Sequence, residues 1–210
     1  MPHFAQGVLK FQSDVFPDMQ DLFDKLDEGQ SPDVLFITCA DSRIEPSTIT
    51  QTKPGDIFVC RNAGNIVPPY SDVADGMSAS IEFAVTALKV PHIVICGHSQ
   101  CGAMAGALAP DGLGSLPHVA QWVQHADGAV DKIKAQTTDG SQPETLSKLI
   151  EENVCLQLEH LRTHPSVAAR LEAGDLELHG WVYDIKTGGV KVFSAQRDAF
   201  VDIGEAYSVT

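Results

Sequence analysis

Two short, continuously apolar runs constrain the fold of this chain more than any other feature of its sequence. Residues 34–38 lead directly into Cys39, and residues 93–96 lead, one glycine later, into His98. A run rich in β-branched residues and without polar alternation is typical of a strand that is covered on both faces, as in a parallel sheet. We therefore expect two buried strands whose ends carry Cys39 and His98.

Predicted helices alternate with the predicted strands along the rest of the chain. Further strand patterns occupy residues 57–60, 176–183 and 190–194. Helical patterns occupy residues 14–27, 47–50, 74–88, 102–108, 115–134, 144–163 and 166–173. A polar stretch rich in helix breakers, at residues 137–143, separates the two longest helices. This alternation predicts an α/β fold with a central, mainly parallel β-sheet flanked by helices.

The length of the chain favours a single domain. With 210 residues, 43% of them hydrophobic, the chain can bury one substantial core. Within that domain we distinguish four regions: an N-terminal helical arm at 1–30, a core with the candidate site at 31–110, a helical region at 111–175, and C-terminal strands and a tail at 176–210.

Charge and composition exclude several classes of partner. The formal net charge of −14 argues against nucleic acid, which requires a basic surface. The apolar runs are far too short to span a bilayer, and the N-terminus lacks the pattern of a signal peptide. The five cysteines, an odd number, fit reduced thiols better than a disulfide framework. We therefore expect no nucleic-acid or membrane partner and a cytoplasmic location.

The residues at the two strand ends predict a metal site, with zinc as the ion. Zinc prefers thiolate and imidazole ligands, and a catalytic zinc site keeps one position open for water. Cys39, His98 and Cys101 supply three such ligands at the carboxyl ends of parallel strands, where sites gather in α/β proteins. The spacing of His98 and Cys101 lets both side chains converge from one tight turn. We expect Gly97 and Gly102 to let the backbone bend closely around the ion.

Asp41 and Arg43 complete the candidate site. Two thiolates neutralise the formal charge of the ion and weaken its pull on water, so a neighbouring hydrogen-bonding group is needed to orient a zinc-bound hydroxide. Asp41 is positioned for that role, and Arg43 is positioned to keep Asp41 ionised and in place.

Other interpretations of these residues remain open at this point. Cys39 alone is compatible with a core residue, and Asp41 with Arg43 is compatible with an ordinary salt bridge. A structural zinc would need a fourth protein ligand, for which only Asp41 is evident. A redox dithiol lacks the C-x-x-C spacing. A thiol nucleophile built from Cys39 and His98 would leave Cys101 unexplained.

Three separated motifs resemble the signatures of the β-class carbonic anhydrases. They are residues 39–43 (CADSR), 54–65 (PGDIFVCRNAGN) and 97–102 (GHSQCG), in the same order and spacing as in that family, and residues 179–183 (HGWVY) are similar as well. The resemblance covers most of the chain. It implies reversible hydration of carbon dioxide to bicarbonate and a proton, with one zinc ion per subunit held by Cys39, His98 and Cys101 and an Asp41–Arg43 dyad beside the zinc-bound water.

The resemblance also implies that the substrate pocket is shared between subunits. Gln30 matches a glutamine that reaches the substrate from the partner subunit, so a homodimer or a dimer of dimers is expected, with the N-terminal helix packed on the partner. Phe58, Phe83 and Gly102 are expected to contribute to the pocket. The position of Phe83 is commonly tyrosine in the family, so one hydrogen bond would be missing here. Ala63 is often larger in the family, which would leave a wider slot.

Two further departures predict an open zinc site at neutral pH. Some members of the family close the site when the aspartate replaces water on the zinc. Those members typically have tryptophan where this chain has Phe36, and glycine where it has Thr38. Both differences should weaken the bicarbonate pocket that favours closure, so we expect Asp41 to pair with Arg43.

Two alternatives to a carbon dioxide hydratase remain. A relative could use the same site on another cumulated substrate such as carbon disulfide, which would require a constricted entrance. A non-catalytic zinc- or bicarbonate-binding protein would not need the Asp41–Arg43 dyad.

Overall fold

The computed structural model describes residues 2–136 and 141–207, and it divides into two compact units between Ser31 and Pro32. None of the helices in these ranges has both the length and the apolar character that crossing a bilayer requires. The predicted breaker-rich stretch at 137–143 and the predicted C-terminal tail lie partly outside the described residues.

The first unit is helical from His3 to Asp27. Helix α1 spans His3–Lys10 and helix α2 spans Gln20–Asp27, with a wide π-type turn at Phe11–Val15 and a tight 3₁₀ turn at Phe16–Met19 between them. The sequence predicted one helix over residues 14–27, and it did not predict α1. The interruption lies at Pro17, which has no backbone N–H to continue the helical ladder.

The second unit is built on a six-stranded sheet within the described residues, in the order β2-β1-β3-β4-β5-β6. The strands, from β1 to β6, are Val34–Cys39, Ile57–Asn62, His92–His98, Glu177–Tyr183, Val190–Ser194 and Ala199–Asp202. The first four strands pair in parallel, and β5 and β6 add as an antiparallel edge. The predicted α/β fold with a mainly parallel sheet is confirmed, although β6 was not predicted.

The central strands are buried on both faces, as their unbroken apolar sequence predicts. On β1, Leu35 and Ile37 join the core on one face of the sheet, whereas Phe36 packs on the other face. The ring of Phe36 meets that of Trp181 edge to face, with 5.9 Å between centroids. Strands covered in this way have no solvated face, which explains the missing polar alternation.

The remaining helices cover the sheet. They are α3 at Pro46–Thr50, α4 at Gly76–Glu82, α5 at Gly102–Leu108, α6 at Pro117–Trp122, α7 at Asp127–Gln136, α8 at Gln142–Thr163, α9 at Pro165–Ala173 and α10 at Ile203–Ala206. The helix predicted over residues 115–134 is divided into α6 and α7 by a 3₁₀ turn at Val123–Ala126. Helix α10 was not predicted.

Helix α8 packs against β3 and β4 at unusually short range. A Cβ atom on Gly97 or on Gly180 would lie 2.9 Å from a methyl group of Val154. Glycine on each of two neighbouring strands therefore makes the groove that receives Val154. Through this contact α8 holds β3, and with it the end of the strand that carries His98.

Candidate metal centre

The strand ends bring three metal-binding side chains together. Cys39 is the last residue of β1 and His98 is the last residue of β3, its parallel neighbour, while Cys101 immediately precedes α5. All three side chains are at most 5% exposed, and their ligand atoms lie within 4.8 Å of one another. The structure thus brings together the three residues that the sequence predicted as ligands.

One nitrogen of His98 is fixed and the other is left for a ligand. The Nδ1 atom lies 2.9 Å from the carbonyl oxygen of Ser99 and is therefore assigned as the protonated nitrogen. Nε2 is completely buried and has no hydrogen-bond partner among the described residues. A buried nitrogen lone pair without a partner is costly, and coordination of a metal ion removes that cost.

The two thiols influence each other's ionisation. Interaction with the Cys101 thiol lowers the pKa of Cys39, and the same contact, together with burial, raises the pKa of Cys101. The Cys39 sulfur also accepts a hydrogen bond of 3.4 Å from the backbone N–H of Gly64. One thiolate therefore opposes the formation of the second next to it, unless a cation lies between them.

The donor set matches the ligand chemistry of zinc. Two sulfurs and one imidazole nitrogen suit a tetrahedral zinc site, and three protein ligands leave the fourth position for a reactant. A closed structural site would need a fourth protein ligand. The nearest candidate, Asp41, is bonded to Arg43, with its Oδ2 atom 3.9 Å from Nε2 of His98.

Asp41 and Arg43 form a bidentate pair at the edge of the donor cluster. Oδ1 of Asp41 accepts hydrogen bonds of 2.9 Å from both Nε and the backbone N–H of Arg43, and Oδ2 accepts one of 2.7 Å from Nη2. These bonds hold the pKa of the Asp41 carboxyl well below its usual range. Arg43 also donates to the carbonyl oxygen of Gln100, at 3.2 Å, and so links the segments after the two strands.

A second arginine, to which the sequence analysis gave no role, holds the backbone of the site. Arg61, on β2, donates hydrogen bonds to the carbonyl oxygens of Cys39, Asp41 and Ile44, at 3.1, 2.8 and 2.7 Å. It lies opposite Thr38 in the register of the sheet. The only sequence signal for this role is the position of an arginine near the end of β2, the strand next to the one that carries Cys39.

The glycines next to the ligands do not act as the sequence analysis expected. Gly97 is a strand residue whose small size admits Val154, and nothing lies within 4 Å of a Cβ built on Gly102. Neither has the positive φ of a tight bend, whereas Gln100, between the two ligands, has a φ of 55°. Gly64 does need to be glycine, since its φ is 85° and a Cβ there would lie 2.9 Å from Met104.

Of the predicted pocket residues, Gly102 is next to one of the three metal-binding side chains, whereas Phe58 lies further away on β2. On β2, Asn62 pairs with Cys39, and Phe58 lies four residues before Asn62. This separation is about 13 Å along the strand. Its ring packs against that of Phe83 with 6.0 Å between centroids, and Phe83 is 47% exposed. Gly102 begins α5 directly after Cys101. Gln30 is an exposed residue of the first unit.

His92 and His125 lie at different distances from the three metal-binding side chains. His92 begins β3, about 20 Å along the strand from His98. His125 lines an open cleft of about 520 Å³ that also includes Asn62 and Ala63, next to the donor cluster. Trp122 closes one side of this cleft and donates a hydrogen bond of 2.9 Å to the carbonyl oxygen of Ala63.

Sequence comparison identifies related proteins over nearly the whole chain. The family model described as carbonic anhydrase matches residues 34–190. A carbonic anhydrase of Pseudomonas aeruginosa is 45% identical over 205 residues, covering 98% of this chain and 93% of that protein. Carbonic anhydrase 1 of Escherichia coli O157:H7 is 45% identical over 203 residues, covering 97% and 92%.

Solved structures agree with the sequence relatives. The β-carbonic anhydrase CcaA superposes with a TM-score of 0.93 at 40% identity, covering 95% of this chain and 98% of that chain. A tetrameric β-carbonic anhydrase of Sordaria macrospora superposes with a TM-score of 0.74 at 34% identity, covering 92% and 93%.

Proposed function

The chain belongs to the β-carbonic anhydrase family and is an enzyme of that family, and we propose that it hydrates carbon dioxide reversibly at a zinc ion bound by Cys39, His98 and Cys101. The observation that carries the proposal is the fully buried Nε2 of His98, which lacks a hydrogen-bond partner among the described residues and lies within 4.8 Å of two cysteine sulfurs. Two sulfurs and one imidazole around an open position are the donor set of a catalytic zinc.

Zinc bound at these residues would supply a nucleophile at neutral pH, because it lowers the pKa of a water molecule that it binds. The chain's own contribution is to orient that nucleophile. Asp41 is ionised, since its hydrogen bonds to Arg43 hold its pKa low, and an ionised carboxylate only accepts hydrogen bonds. It would therefore accept a hydrogen bond from the nucleophile and so help to orient it towards carbon dioxide.

We propose that the site is open at neutral pH. The hydrogen bonds from Arg43 engage both oxygens of Asp41 and oppose a shift of the carboxylate towards the three metal-binding side chains. Two residues of β1 support the same proposal. Phe36 is buried, and the hydroxyl of the buried Thr38 donates a hydrogen bond of 2.8 Å to the carbonyl oxygen of Cys96. A crystal structure of the zinc-loaded protein above pH 8 with an Asp41–zinc bond would contradict this proposal.

We also infer that the active enzyme is a homodimer or a dimer of dimers, with Gln30 and the Phe58–Phe83 pair contributing to the substrate pocket of a neighbouring subunit. Strand β2 is an edge strand in the described sheet, and Val59 on it is 39% exposed. An exposed edge strand with apolar side chains is a surface that another chain can cover. The apolar residues exposed in the first unit, including Phe4 and Phe11, support the same inference.

The competing functions predict different measurements. Zinc analysis and stopped-flow hydration of carbon dioxide should give one zinc per chain at this site and an activity that depends on Asp41. A protein that contains zinc but hydrates no carbon dioxide would contradict the proposal; hydrolysis of carbon disulfide by that protein would then identify the other cumulated substrate.

The five cysteines are free thiols in the structure, which supports the inference of a reducing compartment such as the cytoplasm.

A further inference from the structure

A second group of metal-binding side chains lies at the opposite end of the sheet from the zinc site. His92 begins β3 and pairs in register with Glu177 on β4, and His179 follows two residues later on β4. Because side chains alternate between the two faces of a strand, all three lie on the same face of the sheet. This group is about 20 Å along β3 from His98.

The distances within the group are those of a metal ligand set. Nδ1 of His92 lies 3.2 Å from Nε2 of His179, and each nitrogen lies 3.8 Å from Oε2 of Glu177. Metal–ligand bonds of 2.0–2.2 Å in a tetrahedral site separate the ligand atoms by roughly 3.3–3.6 Å. The side chain of Glu177 is 71% exposed, so it can move the few tenths of an ångström that this requires.

The surroundings of His179 suit coordination through Nε2. The hydroxyl oxygen of Tyr207 lies 3.0 Å from Nδ1 of His179, where it can accept a hydrogen bond from Nδ1–H and leave the Nε2 lone pair free. The indole of Trp181 donates to the same oxygen, at 3.4 Å.

We propose that His92, Glu177 and His179 form a second metal site, for a divalent transition-metal ion of the zinc and nickel class. Two imidazoles and one carboxylate suit such ions, and they leave positions that water can occupy. The bound ion would tie the starts of β3 and β4 together, and through Tyr207 it would couple them to the C-terminal end of α10. Without an ion, the two rings can share a hydrogen bond, which is the competing explanation for their proximity.

Calorimetric titration of the zinc-loaded protein with Ni²⁺ distinguishes the two explanations. We expect one further equivalent of Ni²⁺ per chain, which is lost in both His92→Ala and Glu177→Gln. Because Glu177 is largely exposed, its replacement should leave the fold intact. His118→Ala, which removes an exposed histidine elsewhere, is the matched control and should bind Ni²⁺ like the wild type.

Tyr207→Phe tests the proposed positioning role of the tyrosine. It keeps all three ligands but removes the acceptor for Nδ1 of His179, so Ni²⁺ should bind roughly tenfold to a hundredfold more weakly. The proposal is wrong if the wild type binds no further Ni²⁺, if Glu177→Gln binds it unchanged, or if His118→Ala abolishes the binding. Each of these outcomes is independent of carbon dioxide hydration at the other end of the sheet.

Discussion

Both carboxylate oxygens of Asp41 accept hydrogen bonds from the guanidinium group of Arg43, at 2.9 and 2.7 Å. The planar fork of arginine matches a carboxylate in this way, so the pair is fixed in orientation as well as in charge. Asp41 is held as a hydrogen-bond acceptor beside the metal-binding side chains of Cys39, His98 and Cys101. The roles of Asp41 in catalysis and of Arg43 in holding it can therefore be tested separately from zinc binding.

Replacement of Asp41 by asparagine should separate metal binding from catalysis. The variant keeps the three ligands, so zinc content should stay at one ion per chain at this site. An amide offers a donor where the nucleophile needs an acceptor, so hydration should slow by about tenfold to a hundredfold. Stopped-flow assays and metal analysis measure both quantities. Asp33→Asn, at an exposed position, is the control and should keep full activity.

Removal of the Arg61 side-chain donors should loosen the segment that carries Cys39 and Asp41. Arg61→Gln leaves the carbonyl oxygens of Cys39, Asp41 and Ile44 without the guanidinium that now bridges them. We expect a loss of about 1–3 kcal/mol in the free energy of unfolding. Zinc should also transfer faster to a chelator. Release at the wild-type rate would show that the segment does not need this bridge.

A methyl group at Gly64 should disturb the site through backbone strain and overlap. Gly64→Ala places a Cβ at a φ of 85° and 2.9 Å from Met104. Strain and overpacking together should lower the free energy of unfolding by about 2–4 kcal/mol, and zinc affinity should fall because the N–H of Gly64 moves away from Cys39. Gly76→Ala, where nothing lies within 4 Å of the added Cβ, should change neither quantity appreciably.

The contact between Gly97 and Val154 predicts a rescue. Gly97→Ala should destabilise the protein by about 1–3 kcal/mol, since the new methyl group overlaps Val154 at 2.9 Å. Val154→Ala removes the overlapping methyl groups at the cost of a cavity. Chemical denaturation should show that the double variant loses less stability than the sum of the two single variants. Strict additivity would mean that the two side chains do not interact in this way.

The N-cap of α4 predicts a pH-dependent contribution to stability. Burial acts to raise the pKa of Asp75, but hydrogen bonds from Ser78 and Met77 outweigh it and lower the pKa. The contribution is therefore fully present above the ordinary aspartate pKa and is lost as the pH falls through the lowered value. Asp75→Ala should cost about 1 kcal/mol at pH 7. In urea denaturation this difference should shrink towards pH 3, and a difference that grows on acidification would contradict the assignment.

The sequence determined the strands that define the fold and the chemistry of the site. Short apolar runs without alternation are typical of strands covered on both faces, and the three predicted metal ligands follow within five residues of these runs. Local patterns could not predict the division of the helix expected over residues 115–134, or the short elements β6 and α10. Such short elements have too few residues for a periodic pattern, and they depend on contacts with distant parts of the chain.

Only the tertiary structure decided which contacts hold the site in place. The three carbonyl oxygens bound by Arg61, the groove formed by Gly97 and Gly180, and the convergence of His92 with His179 all join residues far apart in the sequence. Such contacts depend on strand register and on the distance between helix and sheet, which no local pattern encodes. The sequence by itself determined which side chains can bind a metal ion. The tertiary structure decided which of these side chains lie together, and that the Asp41 carboxylate pairs with Arg43 beside them.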